Sequence, residues 1–503
     1  MAELQQVPGA VPGVVPAGFL DPQAGRRIHF VGVGGYGMSA VAHVLAELGC
    51  RVTGSDVHAS ERTRRLADRG VAITLGHSPA NVEGADLVIY STDVPDGNPE
   101  LNAARKAQVP IWHRSEMLSH LMDSRFSIAV TGTHGKTTTT AMIAFLLARL
   151  GLDPTVLVGA DFDPIGGTAR LGRSEYLVAE ADESDQSFLR YHPSVAVITN
   201  VEPEHLEYYD GDFSRVVEAY RQFIRNVRPG GLVVLCTDNS SLRELAASAR
   251  VRVIGYGLEE RRGLRAEDLR PDRQGTWFQA TWNTRVLGQA RLEIPGRHNV
   301  LNALAALAVG MDRGLDFAVL AQTLRGFRGP RRRFEICGVG AGITVVDDYA
   351  HHPTEIRETL AAARQRASGR VLAVFQPQRY VRTRNLMGDF ARAFSGADHL
   401  VLAPIYSPPG ENPIPGINSR FLARLVEEYE GRSVVYLEDH DDMVEHLLSV
   451  SAPGDLIITM GAGDIWKVAH ATVERLARPT KTGAPPRPRS PRRPTLISPP
   501  NMC

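Results

Sequence analysis

The segment from Phe126 to Ala148 constrains this chain most. An apolar run, Phe126-Ser127-Ile128-Ala129-Val130, passes through Thr131-Gly132-Thr133-His134-Gly135-Lys136-Thr137-Thr138-Thr139 into a second apolar run, Ala141–Ala148, of helical length. A strand that turns on glycines directly into a helix is half of a parallel crossover, so the chain needs a mainly parallel sheet covered by helices. The same turn suits a phosphate. Its backbone N–H groups and the helix N-terminus offer positive potential to anionic oxygens. Lys136 would reach the outer phosphates and the Thr137 hydroxyl a magnesium ion. The full pattern of such loops requires glycine where Val130 stands, a departure; the plain alternative is a glycine turn with a solvated lysine.

Strand–helix alternation continues through three blocks, the pattern of parallel α/β folds. The boundaries fall at 25–124, 125–329 and 330–478. The first block predicts strand Arg27–Val31, the turn Gly32-Val33-Gly34-Gly35-Tyr36-Gly37, helix Met38–Leu48 and strand Arg51–Gly54, with Asp56 following. A G-x-G-x-x-G turn with an acid about twenty residues on is the fingerprint of a nucleotide diphosphate site, the acid serving ribose hydroxyls. It does not say which nucleotide, and a merely tight βα turn is the alternative.

In the second block, strand Tyr176–Ala179 leads into Glu180-Ala181-Asp182-Glu183-Ser184-Asp185, and strand Val195–Thr199 into Asn200-Val201-Glu202-Pro203-Glu204-His205. Carboxyl ends of parallel strands are where such sheets bind ligands. A carboxylate from one end and an imidazole from the other could complete a magnesium shell beside Thr137, although magnesium prefers oxygen. Each cluster alone also reads as a solvated turn. Helix 298–307 follows, with His298, Asn299 and Asn302 in its first turns; their amides could read an adenine edge, or Asn299 could cap the helix.

The third block opens with Arg331-Arg332-Arg333-Phe334-Glu335. Strands Ile343–Val346, Val371–Phe375, His399–Ala403 and Leu456–Met460 then deliver polar or glycine-rich loops, among them Asp347-Asp348-Tyr349-Ala350-His351-His352 and Gln376-Pro377-Gln378-Arg379-Tyr380-Val381-Arg382. Arg379 and Arg382 can clamp a carboxylate or phosphate, or be solvated. The His pair lacks a third ligand at transition-metal spacing.

Composition excludes several classes. Lys plus Arg and Asp plus Glu are 56 each, so no overall field draws nucleic acid or anionic membrane. No apolar run reaches a membrane span, and the four scattered cysteines suit a reducing cytoplasm. Residues 1–24 and 479–503 carry no periodic apolar pattern. The latter holds eight prolines and no acid, and both are expected to be disordered tails.

The ordered set HFVGVGGYGMSAVAHVL, GTHGKTTT, EADESDQSF, TNVEPEH, PGRHNVLNALAA, RRFE, DDYAHHPTEI, FQPQRYVRTR and GENPIPG resembles the amino-acid ligases of peptidoglycan precursor synthesis over about 26 to 470. The resemblance implies three α/β domains: a Rossmann-like UDP-binding domain, a central P-loop ATPase domain and a C-terminal Rossmann-like domain. It implies a cytoplasmic monomer or homodimer that uses ATP and Mg2+ to join L-alanine to the lactyl carboxylate of UDP-N-acetylmuramate through an acyl phosphate, with no nucleic-acid or membrane partner. Several relatives carry a carbamoylated lysine where Arg221 stands here, as expected for alanine addition.

Carried over by residue, the resemblance places ATP on Gly132, Thr133, His134, Gly135, Lys136, Thr137, Thr138, His298, Asn299, Asn302 and Arg333. Magnesium falls to Thr137, Glu180 and His205, and the UDP-sugar to Gly34, Gly35, Gly37, Met38, Asp56 and Ser91. The muramoyl carboxylate and the incoming amino acid fall to Tyr349, His351, His352, Arg379 and Arg382, with Lys136, His351, Arg379 and Arg382 catalytic. Glu204 stands where the family usually has Asp and Gln378 where it has His. A nicotinamide oxidoreductase would explain the first glycine turn but leave Lys136-Thr137 idle. A nucleotide switch would leave the polar strand ends idle. The neighbouring recycling ligase joins a preformed peptide to the same sugar nucleotide.

Overall fold

The structure, a computed structural model, describes residues 19–21, 25–407 and 411–477. The expected tails lie outside these residues apart from Phe19–Asp21. Phe19 departs from that expectation: it is buried in the core, with the Arg26 guanidinium 5.6 Å from its ring centroid. The described residues form two compact units, divided between Arg333 and Phe334.

The first unit contains two sheets. Strands β1 (Arg27–Val31), β2 (Arg51–Asp56), β3 (Ala72–Leu75), β4 (Leu87–Tyr90) and β5 (Ile111–His113) are all parallel, in the order β3-β2-β1-β4-β5. The order reverses between β1 and β4, so the glycine turn after β1 opens at the point where parallel sheets leave a crevice. Helix Tyr36–Glu47 begins inside that turn, and eight successive residues from Met38 to Leu45 are buried.

The second sheet comprises β6 (Phe126–Thr131), β7 (Thr155–Phe162), β8 (Gly167–Arg170), β9 (Tyr176–Glu180), β10 (Val195–Ile198), β11 (Leu232–Cys236), β12 (Arg252–Gly257), β13 (Leu264–Asp272), β14 (Gly275–Trp282) and β15 (Arg285–Leu292). Its order is β15-β14-β13-β12-β11-β10-β6-β9-β7-β8, parallel from β13 to β7, with antiparallel β8 at one edge and the β14–β15 ribbon at the other. Pairing of Thr131 with Ile198 and of Val130 with Glu180 brings the ends of β10, β6 and β9 to one edge. Helices Lys136–Arg149 and Arg297–Asp312 pack together over this sheet and are buried along almost their whole length.

The second unit carries β16 (Glu335–Gly340), β17 (Ile343–Asp348), β18 (Val371–Phe375), β19 (His399–Leu402), β20 (Val435–Tyr436) and β21 (Leu456–Met460) in the order β16-β17-β21-β18-β19-β20, antiparallel only at β16. Each face of the sheet has its own apolar cluster, one around Phe375, Phe390 and Phe394, the other around Leu372, Val374 and Leu447.

Several strands run one or two residues past the apolar pattern, taking Asp56, Glu180, Asp347 and Asp348 into the ladder. Backbone pairing continues after side chains leave the core, so a hydrophobic run ends before its strand does. For the same reason the two glycine turns flow into helices at Tyr36 and Lys136, earlier than the apolar runs indicate.

Candidate active site

The phosphate loop is held from both neighbouring strands. Gly132 has φ +136°, and a Cβ there would overlap Thr199 Oγ1 and sit 3.0 Å from the backbone nitrogens of Thr199 and Asn200. Gly135, at φ +81°, caps helix Lys136–Arg149, and a Cβ on it would stand 2.6 Å from Asn302 Oδ1. Only glycine meets both the left-handed backbone and the close approach. From the end of β10, Thr199 Oγ1 donates to His134 O at 2.5 Å, while Asn200 Oδ1 accepts from His134 N–H at 2.8 Å. Thr133 Oγ1 accepts from Glu202 N–H, and the His134 ring lies 3.4 Å from the Glu202 carboxylate. Thr138 is buried in the first turn of the helix.

Lys136 does not extend into solvent. Its ammonium donates to Gly132 O (2.7 Å), Thr133 O (3.2 Å) and Glu183 Oε1 (2.8 Å). Burial alone would lower its pKa, but the carboxylates of Glu183, Asp182 and Glu180 more than offset this and hold it charged. Glu183 is 5% exposed, and its other oxygen, Oε2, is buried without a hydrogen-bond partner among the described residues. Burial, with Asp182 adding to it, pushes this carboxyl up to about 7 despite Lys136. A buried orphan carboxylate oxygen beside a phosphate-loop lysine is a costly arrangement for a protein to keep.

Glu180 bridges two elements. Its Oε1 accepts from the Thr137 hydroxyl at 3.1 Å and its Oε2 from Gly159 N–H at 2.9 Å. Gly159 on β7 is glycine because a Cβ would lie 2.5 Å from Glu180 Oε2. A hydroxyl and a carboxylate fixed this way are hard oxygen donors of the kind magnesium takes, so the residues present fit that ion. His205, at φ +54°, lies between Glu204 (3.9 Å) and Glu207 (3.8 Å) and acts electrostatically on Glu183. Non-glycine residues in the left-handed region are held there by their surroundings and cluster at functional sites. Arg333 Nη2 approaches Thr137 Oγ1 at 3.5 Å.

The helix carrying His298, Asn299 and Asn302 braces this loop. Its N-cap is Gly296, so Asn299 is not the cap; its amide returns to Pro295 O at 2.7 Å. Asn302 accepts from Thr139 Oγ1 at 3.1 Å and donates to Asn299 Oδ1. Both asparagines are buried, while His298 is half-buried at the start of the helix. Asn302 thereby ties helix Arg297–Asp312 to helix Lys136–Arg149.

At the first glycine turn, Asp56 Oδ2 accepts from Gly34 N–H at 2.8 Å, and a Cβ on Gly34 would lie 2.8 Å from that oxygen. The acid expected on a ribose therefore braces the turn itself. Met38 is 2% exposed within the core, so what it offers a ligand is a first-turn N–H rather than its side chain. Gly35 is the helix N-cap, and Ser91 follows β4, beginning the turn that sets Val94 against Gly32.

In the second unit, His351 and His352 N–H groups both donate to Glu355 Oε2, at 3.0 and 3.2 Å. His352 caps helix Pro353–Arg366 through Thr354 N–H, a role that already accounts for its burial. Tyr349 and His351 meet edge to face at 5.3 Å, and His351 Nδ1 lies 3.0 Å from Tyr349 O. Arg379, at φ +67°, heads helix Tyr380–Asn385, and Arg382 donates to Gln378 Oε1. Gln378, at the position where histidine was the family expectation, is thus an acceptor for Arg382.

Thr199, Asn200, Gly159, Glu183 and Arg114 were not singled out from sequence. The first four lie in or beside the polar strand ends, a signal that marks the edge without saying which side chains meet.

These features define an α/β protein in which a glycine turn carrying Lys136 and Thr137 meets the Glu180 carboxylate, with a separate glycine turn after β1. Three family models match: "Mur ligase family, catalytic domain" over residues 27–126, "Mur ligase middle domain" over 130–310 and "Mur ligase, glutamate ligase domain" over 332–463. A UDP-N-acetylmuramate–L-alanine ligase of Symbiobacterium thermophilum is 55% identical over 457 residues, covering 90% of this chain and 95% of its own. The crystal structure of a UDP-N-acetylmuramate-alanine ligase from Thermotoga maritima aligns with a TM-score of 0.77 at 32% identity, over 89% of this chain and 98% of that one. A murein peptide ligase from Psychrobacter arcticus aligns at 0.66 and 25% identity, over 91% and 100%. The chain belongs to the Mur ligase family. Among the described residues no helix is long and apolar enough to cross a membrane.

Proposed function

We propose that this chain joins L-alanine to the lactyl carboxylate of UDP-N-acetylmuramate at the expense of ATP, in the cytoplasm. The observation that carries the reading is the cradle in which Gly132, Gly135, Lys136, Thr137 and Glu180 are held together by the ends of β9 and β10 and by Asn302 of helix Arg297–Asp312. The 55% identity to an alanine-adding relative supports the choice of acceptor over the peptide-adding alternative.

The lactyl carboxylate attacks the γ-phosphorus of ATP; the bond to the bridging oxygen breaks, leaving ADP and an acyl phosphate. The alanine amine then attacks the acyl carbon and phosphate departs with its bonding pair, the amine losing a proton. Both steps crowd anions together, so positive charge fixed in advance is what the site must supply. Lys136 and Arg333 serve the phosphates, and the first-turn amides of helix Lys136–Arg149 face them. A magnesium ion, held by Thr137, Glu180 and His205, would add the same kind of charge neutralisation. Asn299, Asn302 and His298 form the nucleoside side. Gly34, Gly35, Gly37, the Met38 N–H, Asp56 and Ser91 serve the UDP moiety. In the second unit, Tyr349, His351, His352, Arg379 and Arg382 serve the amino acid.

Phosphate release from ATP and magnesium, measured with UDP-N-acetylmuramate and separately with L-alanine, glycine, L-serine or the tripeptide, tests the reading. Release that requires both the sugar nucleotide and L-alanine, with a product heavier by one alanyl residue, supports it. Release only with the tripeptide makes the chain a recycling ligase.

A further inference from the structure

Between the first glycine turn and Glu180 lies a cavity of about 180 Å³, lined among others by Tyr36, Gly37, Arg114, Gly159, Glu180 and Asp182. Arg114 starts helix Arg114–Asp123 and its side chain is 18% exposed. Its nearest acidic oxygen is Asp182 Oδ2 at 3.9 Å, too far for a hydrogen bond, and its guanidinium donates to no acceptor among the described residues. A guanidinium carries five donors, and removing them from water without partners is unfavourable. Two other half-buried arginines of this unit are spent: Arg190 donates to Ser115 Oγ, and Arg65 pairs with Glu61 and Asp161. Arg114 alone in this group faces a cavity with its fork unused.

The approach is built into the backbone. A Cβ at Gly37 would lie 2.6 Å from Arg114 Nη1 and 3.0 Å from its Cδ, so glycine there lets the side chain lie flush on the first turn of helix Tyr36–Glu47. Asp182 pairs with the guanidinium electrostatically at 3.9 Å without taking up its donors. The planar fork suits two oxygens of one anionic group, which a lysine would meet only as a point charge.

We propose that Arg114 binds an anionic oxygen group of the sugar nucleotide in this cavity, orienting it between the glycine turn and Glu180. The group is either the diphosphate or the lactyl carboxylate, both of which present paired oxygens. This inference rests on the substrate reading above, and its test needs no turnover, so the two stand or fall separately.

The test is calorimetric titration of the full chain with UDP, UDP-N-acetylglucosamine and UDP-N-acetylmuramate, comparing the parent with Arg114→Met, Arg114→Lys and Gly37→Ala. Loss of a charge-assisted fork corresponds to roughly 10- to 100-fold weaker binding. Weakening of all three ligands by Arg114→Met assigns the diphosphate. Weakening of UDP-N-acetylmuramate alone assigns the carboxylate. Arg114→Lys should recover part of the loss, and Gly37→Ala, which displaces the guanidinium while keeping it, should reproduce it. ADP affinity and melting temperature report whether each variant is folded. Affinity for all three ligands unchanged within about threefold in folded Arg114→Met overturns the proposal.

Discussion

Replacing Gly132 by alanine offers a stringent check on the phosphate-loop geometry. Two costs follow from the structure. The backbone sits at φ +136°, where a non-glycine residue is strained by about 1–3 kcal/mol. The new methyl would overlap Thr199 Oγ1, and retreat is blocked because the backbone nitrogens of Thr199 and Asn200 lie only 3.0 Å away. The loop must therefore shift, loosening the bonds from Thr199 Oγ1 to His134 O and from Thr133 N–H to Asn200 O. A displacement of about 1 Å at a reacting group is worth roughly 100-fold in rate. We expect kcat/KM for ATP to fall about 100- to 1,000-fold, with ADP binding weakened in parallel by calorimetry. Gly151→Ala is the control: it too has positive φ, +83°, but nothing lies within 4 Å of its added Cβ. It should cost about 1 kcal/mol of stability and leave turnover intact. A folded Gly132→Ala protein within threefold of the parent rate would refute the reasoning.

Glu183→Gln removes the carboxylate that competes with phosphate for Lys136. Since a charged hydrogen bond is worth about 1.5–3 kcal/mol, ATP and ADP should bind about tenfold or more tightly without metal; unchanged affinity in calorimetry would mean that the pair persists in the complex. Beside the first sheet, Glu100 in the first turn of helix Pro99–Lys106 is fully buried. Burial would raise its pKa, but the His29 imidazole 3.5 Å away and hydrogen bonds from Ser55 and Asn81 outweigh this and lower it from 4.5 to about 2. A depressed carboxyl contributes stability above its unfolded pKa and loses it as pH falls through the folded value, here about 3 kcal/mol between about pH 4.5 and 2. Urea midpoints of the parent should therefore fall on acidification more than those of Glu100→Gln, and parallel pH profiles would count against the assignment. Arg379 occupies φ +67°, so Arg379→Gly should be more stable than Arg379→Ala by about 1 kcal/mol while both lose turnover; equal melting temperatures would remove the strain argument.

Local pattern carried the fold class. Apolar runs of strand length that end in glycine or charge, followed by apolar helices, leave a parallel sheet as the arrangement that buries them, and the sheets of both units follow it. The antiparallel ribbon β13–β15 gave no comparable signal, because burial along its strands is mixed and does not alternate cleanly. Gly132, Gly135, Lys136 and Thr137 were legible because their geometry is set within one turn. Glu180 was legible only as one acid in a cluster of acids.

What tertiary structure decided is which polar groups meet. Glu183 reaches Lys136, 47 residues away, and Asn200 reaches His134 across 66, because β9 and β10 flank β6 in register. Gly159 seats Glu180 and Gly37 seats Arg114 for the same reason: the missing Cβ matters only against a side chain from another strand or helix. The sequence by itself determined the parallel α/β class, the glycine turn after β6 and the edge at which polar strand ends gather, since these depend on periodicity and on backbone freedom within a few residues. Strand order and register, settled by the packing of distant apolar faces, chose the partners of Lys136, Glu180, Asp56 and Arg114.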